Sequence, residues 1–173
     1  ETKLMRVAGN LHDLGKISVP SEILDKPGKL TESERAILQE HAYYTFHILD
    51  TIGGMPQVSE WAGFHHERLD GAGYPFGHTA GELTLGSRIV AVADTMTAIM
   101  EDRPYRKTVS DQKAIGILSK LAADGAIDGD VLNVLLEDFD AINSFRQAEQ
   151  TAYAVKQTDH TQLPDTAPAV TGA

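Results

Sequence analysis

The sequence contains no cysteine. Disulfides, thiolate zinc sites and cysteine nucleophiles are therefore excluded, and any bound metal must be held by histidine and carboxylate. Basic residues are the minority: 15 Lys and Arg stand against 25 Asp and Glu, a formal net charge of −10. That balance lacks the basic surface on which long polyanions release their counterions, so a nucleic-acid-coating role is excluded. No apolar run approaches the roughly 18 residues that span a bilayer. No charged-then-apolar leader opens the sequence. A cytoplasmic protein with no membrane segment is expected. What remains is 173 residues, enough for one domain of ordinary size with a real core.

The patterning is helical throughout. Leu4, Val7, Ala8 and Leu11 share one helical face and lead into His12-Asp13-Leu14-Gly15-Lys16. This pattern starts without a cap or loop, which reads as a helix continuing from upstream. Pro20-Ser21 opens a short helical turn that Asp25-Lys26-Pro27-Gly28 closes. Thr31 and Glu34 form a capping-box pair. The helix after them carries Ile37, Leu38, His41, Ala42, Thr45, Ile48, Leu49 and Ile52 on one broad face and stops at Gly53-Gly54. A helix is predicted over 58–66, then a Gly- and Pro-rich loop over 70–75. Further helices are predicted over 85–100, from Ser110 to Ala123, and as one long helix from about Asp130 to Val155. Residues 157–173 are rich in Thr, Pro and Ala without periodicity and read as a disordered tail or linker. No segment reads as a strand. The expected fold is an all-α helical bundle.

The chemistry lies in the histidines. His12 and Asp13 are adjacent on a helical segment, and adjacent helical residues diverge by about 100°. Both reach one site if that site holds a pair of metal ions bridged by the carboxylate. Taken alone, the pair also suits a helix C-terminus. His41 sits within the apolar stripe of its helix, where a histidine is either hydrogen-bonded or a ligand. His65-His66 close a helix just before the glycine-rich loop, an arrangement suited to metal and phosphate. Asp94 interrupts Ile89-Val90-Ala91-Val92-Ala93. A buried carboxylate there needs a cation or a base beside it, and an acid facing a wet groove is the other reading. Four segments thus each place an imidazole or a carboxylate on an otherwise apolar face. Such a mixed N/O set suits iron, manganese or zinc. His47, His78 and His160 are assigned no role, and Trp61 is assigned to core packing.

At these residues the sequence resembles the HD-GYP family, a branch of the HD metal-dependent phosphohydrolases. His12-Asp13-Leu14-Gly15-Lys16 is similar to the family's HDxGK. His65-His66-Glu67-Arg68-Leu69-Asp70-Gly71-Ala72-Gly73-Tyr74-Pro75 fits its HHExxDGxGYP throughout. His41 stands in the place of the family's mid-helix ligand, Val92-Ala93-Asp94 resembles its VAD, and Asp102-Arg103-Pro104-Tyr105-Arg106-Lys107 resembles the segment that follows. The resemblance covers roughly residues 4–137.

It implies an HD-type helical domain over 1–156 that hydrolyses cyclic di-GMP, a bacterial second messenger, to pGpG and in some members on to GMP. It implies two or three divalent metal ions, iron first, with manganese or zinc as alternatives. His12, Asp13, His41, His65, His66 and Asp94 would be the ligands, with Asp13 bridging. Lys16 would act beside Asp13 at the scissile phosphate. Gly73 and Tyr74 would touch the substrate, and Arg103 and Arg106 would hold phosphate or guanine. Implied partners are a diguanylate cyclase-type protein at the GYP loop and an upstream receiver or sensory domain.

There are departures. The family's upstream Glu and His ligands find no counterpart before His12, so N-terminal helices of the domain are expected to be missing. Thr97 stands where Asp is frequent, and Gly125-Ala126-Ile127-Asp128-Gly129 replaces a segment resembling HFDP. Two other readings stand beside hydrolysis of cyclic di-GMP. One is a non-hydrolytic module that binds a cyclic dinucleotide or a protein, and the other is a phosphohydrolase for another nucleotide.

Overall fold

The computed structural model describes residues 1–101 and 109–160. The described chain is all-helical: α1 (Thr2–Leu11), a 3-10 helix (Leu14–Ser18), α2 (Ser21–Leu24), α3 (Glu32–Ile52), α4 (Pro56–Gly63), α5 (Leu85–Met100), α6 (Asp111–Ala123), α7 (Gly129–Glu137) and α8 (Phe139–His160). The one extended pairing among the described residues is an isolated bridge between Asp70 and Thr79. The chain divides into two compact units, 1–136 and 137–173. The first holds α1 to α6, nearly all of α7 and every residue of the site described below. The second contains α8.

Within the first unit α3 packs against α4 and against the 3-10 helix, while α1 lies on α4 and α5. Ala8, Leu49, Val58, Trp61, Ala62 and Val90 form the core between them, joined by Leu4, Met5, Val7, Leu11 and Leu14. Trp61 is core, as its sequence context predicts. The capping box forms: the Glu34 N–H donates to Thr31 Oγ1 at 3.2 Å and the Thr31 N–H to Glu34 Oε2 at 2.7 Å. Gly53 closes α3 at φ +74° with its N–H on the Leu49 carbonyl.

Four expectations change in detail. The buried stripe of α3 is narrow, with His41, Ala42, Thr45 and Leu49 inside. Ile37 and Ile52 are exposed. The helix predicted over 58–66 starts at Pro56, whose missing N–H is harmless at a first helical position. It ends at Gly63, leaving His65 and His66 in the turn beyond. The long last helix is two, broken at Asp138. Acids at 137, 138 and 140 oppose a helix C-terminus and favour an N-terminus, which places the break there. The second of these helices runs past Val155 to His160, into the stretch read as a tail. Residues 161–173 lie outside the described residues.

Candidate metal centre

The HD motif is held by α3. Gly15 lies so close to that helix that a Cβ would come within 2.0 Å of the His41 carbonyl oxygen, so no other residue fits there. The Gly15 N–H donates to Thr45 Oγ1 at 2.9 Å, and the Thr45 hydroxyl donates to the His12 carbonyl at 3.0 Å. Thr45 is fully buried and lies one turn beyond His41 on the same face. One threonine therefore sets His12 and Asp13 opposite His41.

Three imidazoles share one device. The Nδ1 atoms of His12, His41 and His65 each lie 2.6 Å from the backbone carbonyl three residues earlier, those of Gly9, Leu38 and Ala62. A carbonyl only accepts, so each Nδ1 carries the hydrogen and each Nε2 of the neutral ring presents a lone pair. His41 Nε2 and His65 Nε2 face one another at 3.4 Å in a buried setting. Two opposed lone pairs repel unless a cation or a proton lies between them.

The carboxylates complete the ring of donors. Asp13 lies 3.4 Å from His41 Nε2 and 3.5 Å from His12 Nε2. Asp94 lies 3.6 Å from His12 Nε2 and 3.9 Å from His66 Nδ1. Two ligand groups result: His41, His65 and His66, and His12, Asp13 and His65, in each of which the donor atoms lie within 4.8 Å of one another. Imidazole and carboxylate are the donors a borderline divalent cation takes, and each Nδ1 hydrogen bond to a carbonyl fixes its ring as such sites require. The residues fit a metal centre.

The electrostatics agree. Burial pushes His65 down to about 3 and His66 down to about 4, and lowers His41 as well, so these rings are neutral and ready to ligate at neutral pH. Burial opposes charge on His12 too, but the Asp94 and Asp13 carboxylates outweigh it and raise its pKa. Burial likewise opposes the Asp94 carboxylate, but the close approach of His12, with His65 and His66 beside it, prevails and holds it at about 2. Asp13 is also held below its ordinary value, its desolvation offset by the Lys16 ammonium 2.5 Å away.

The GYP loop folds back onto the cluster. Gly73 permits this: a Cβ there would lie 2.4 Å from the Arg68 nitrogen. The Tyr74 N–H donates to the His66 carbonyl at 3.2 Å, and the Tyr74 ring stands 4.8 Å from the His66 ring. Burial, then the Asp94 and Asp13 charges, push the Tyr74 phenol up, so it stays a protonated donor. The Tyr74–Pro75 peptide is cis. Beneath the loop the buried Glu67 carboxylate accepts the N–H groups of Phe76 (2.6 Å), Gly77 (3.1 Å) and His78 (3.0 Å). Phe76 packs on Phe46 and Phe64 at 5.4 and 5.5 Å between ring centres. Arg68 pairs with Asp70 at the loop's neck, and the Asp70 N–H donates to the Gly125 carbonyl.

All six residues named from the sequence as ligands thus come together, with Lys16 on Asp13 and Tyr74 on His66. Arg103 and Arg106 lie outside the described residues. Thr45 and Glu67 went unrecognised as positioning residues. A threonine in an apolar stripe gives no signal, whereas a Glu followed by a loop with Gly71 at φ +76° and Gly77 at φ +72° does advertise an anchor for backbone N–H groups. Asp128 is a third: it caps α7 through the Asp130 and Val131 N–H groups and pairs with Arg88 of α5 at 3.0 Å. No described helix is long and apolar enough to cross a membrane.

Comparison with known proteins agrees with this geometry. The family model described as "HD domain" matches residues 1–131. The 3'3'-cGAMP-specific phosphodiesterase 1 of Vibrio cholerae is 41% identical over 136 residues, 79% of this chain and 32% of that protein. A cyclic di-GMP phosphodiesterase response regulator of Xanthomonas campestris is 38% identical over 120 residues, 68% of this chain and 32% of its own length. A cyclic di-GMP phosphodiesterase of Pseudomonas aeruginosa is 43% identical over 110 residues, 63% of this chain and 27% of its own. The chain thus spans a third or less of the length of these relatives. The chain belongs to the HD domain family, and its His12-Asp13 pair and 65–75 segment carry the HD-GYP form of it.

Proposed function

We propose that the chain is a metal-dependent phosphodiesterase domain that hydrolyses a cyclic dinucleotide, cyclic di-GMP first, to pGpG or GMP or both. The observation that carries this reading is the buried confrontation of His41 Nε2 and His65 Nε2 at 3.4 Å, with both Nδ1 atoms already committed to carbonyls. The relatives' names supply the substrate class, and they include both cyclic di-GMP and 3'3'-cGAMP.

His12, Asp13, His41, His65, His66 and Asp94 would hold two divalent ions, iron first. When bound, the ions would lower the pKa of a water toward neutrality and neutralise charge on the phosphoryl oxygens. The remaining roles belong to the chain. Asp13 and Asp94 stay ionised and supply negative donors. Lys16 steadies Asp13 and adds a positive charge beside the reacting phosphate. Tyr74 offers a protonated hydroxyl and a ring face to the substrate, and Gly73 allows the loop to lie flat against Glu67 and Arg68. Arg103 and Arg106 are assigned to phosphate or guanine. The GYP loop is assigned to contact with a diguanylate cyclase-type partner, a receiver or sensory domain to the upstream position, and the cytoplasm to the protein.

The test is chromatography of products from cyclic di-GMP, 3'3'-cGAMP and a nucleoside monophosphate, each incubated with iron- and manganese-loaded protein. Linear dinucleotide or mononucleotide from a cyclic substrate is expected. Tight binding of the cyclic dinucleotide with no product would make the domain a binding module. Activity on the monophosphate alone would make it a different phosphohydrolase.

A further inference from the structure

Two cavities open onto the candidate metal centre and share Asp13, Lys16, Asp94 and Ala98. One, of about 500 Å³, lies between α1 and α5 and is walled largely by apolar residues such as Met5, Ile89, Val90 and Ala93. The other, of about 360 Å³, lies under α3, with His41, His66 and Tyr74 in its lining. Beyond the cluster itself, the charged residues of the second lining are Lys29 and Arg35, both cationic.

These two cations are uncommitted in a chain where basic residues are scarce. Lys16, Lys26, Arg68 and Arg88 each pair with a carboxylate. Lys29 and Arg35 make no ion pair or side-chain hydrogen bond among the described residues. Their backbone is nonetheless firmly placed. The Lys26 ammonium grips both oxygens of Glu34 at 2.6 and 2.7 Å, and Glu34 also closes the capping box with Thr31. Lys29 lies inside the corner stapled in this way, and Arg35 follows Glu34 with its N–H on the Thr31 carbonyl at 2.9 Å. Unpaired cations held on a fixed corner, beside a centre that handles phosphate, suit a second anion.

We infer that Lys29 and Arg35 seat the phosphodiester of the cyclic dinucleotide that is not being cut, and so hold the other diester at the metal centre. The inference rests on the phosphodiesterase reading. It also gives a direction of approach: the second phosphodiester enters beneath α3, on the Lys29 and Arg35 side of the centre.

The test is calorimetric titration of cyclic di-GMP into metal-loaded wild type, Lys29→Ala, Arg35→Ala and the conservative Lys29→Arg, with steady-state hydrolysis alongside. Each alanine variant is expected to weaken binding about tenfold, the loss of one hydrogen-bonded charge. KM is expected to rise by the same factor while kcat moves little. Metal content and melting temperature should stay at the wild-type values, Lys29→Arg should restore binding, and the dependence of affinity on salt should become shallower. Wild-type hydrolysis of cyclic di-GMP with unchanged affinity and KM in both alanine variants would overturn the inference and leave the phosphodiesterase reading standing. Hydrolysis of the simple diester bis(4-nitrophenyl) phosphate without any binding of the dinucleotide would also overturn it, leaving diester chemistry intact. A wild type that neither binds nor cuts any diester would overturn both.

Discussion

Thr45 shows how much a single side chain sets here. Its hydroxyl accepts from Gly15 and donates to the His12 carbonyl, so it fixes the HD turn against the helix that carries His41. Thr45→Val keeps the shape and removes both bonds. It should lower divalent-metal affinity about tenfold, the low end for residues that orient ligands, with helicity unchanged by circular dichroism. Glu67 is the matching case on the other side of the cluster. Glu67→Gln keeps one carbonyl oxygen for the Phe76 and Gly77 N–H groups but sets an amide NH2 against the His78 N–H, and a buried donor left unsatisfied costs about 1–3 kcal/mol. Urea titration should show that loss. At this scale the sequence was legible where chemistry is local: His12, Asp13, His41, His65, His66 and Asp94 stand out as polar groups in apolar or sharply turned contexts. Thr45 did not stand out, because its partners lie about thirty residues away and its pattern is that of a valine. Lys29 and Arg35 were equally silent, since a surface cation gains meaning only from the cavity it lines.

At the scale of the element, local signals were read correctly and packing signals only in part. The capping box of α3, its glycine stop and the bounds of α5 follow from rules that act within a few residues. The end of α4 does not, because His65 and His66 leave the helix to meet Asp94 and His41. Glu34 yields a pH prediction for α3. Its hydrogen bonds with Lys26 and Thr31 hold the carboxyl at about 2 rather than 4.5. A depressed carboxylate contributes stability that is complete above the unfolded value and is lost as pH falls through the folded one. The advantage of wild type over Glu34→Gln should therefore be full at pH 5 and shrink steadily toward pH 2. Urea midpoints for the pair across that range measure it. Asp128 caps α7 and holds Arg88. Asp128→Ala should cost about 2 kcal/mol, a cap plus a charged hydrogen bond, and differential scanning calorimetry should show it.

At the scale of the molecule, the absence of cysteine and the charge of −10 bound the chemistry. The candidate metal centre is built from histidine and carboxylate alone, and the positive charge that the proposed anionic substrate needs must be concentrated locally. In the proposed reading, metal ions, Lys16, Lys29 and Arg35 would provide that concentration at one cavity of an acidic protein. The helical class was readable from periodicity; the four segments were suggested as one metal set by their polar groups on apolar faces, and the resemblance gave the ligand set, because no spacing rule joins residue 12 to residue 94. The division of the C-terminal helices at Asp138 depends on a balance of helix-end charges that a periodicity reading passes over. The central claim is that this convergence is a dinuclear metal site that cuts a cyclic dinucleotide. The most direct test measures metal content by mass spectrometry and cyclic di-GMP hydrolysis on the same preparations of wild type and Asp13→Ala. The account predicts about two divalent ions per chain in wild type, with less metal and no detectable product in Asp13→Ala. An Asp13→Ala protein with full metal content and undiminished hydrolysis would contradict it.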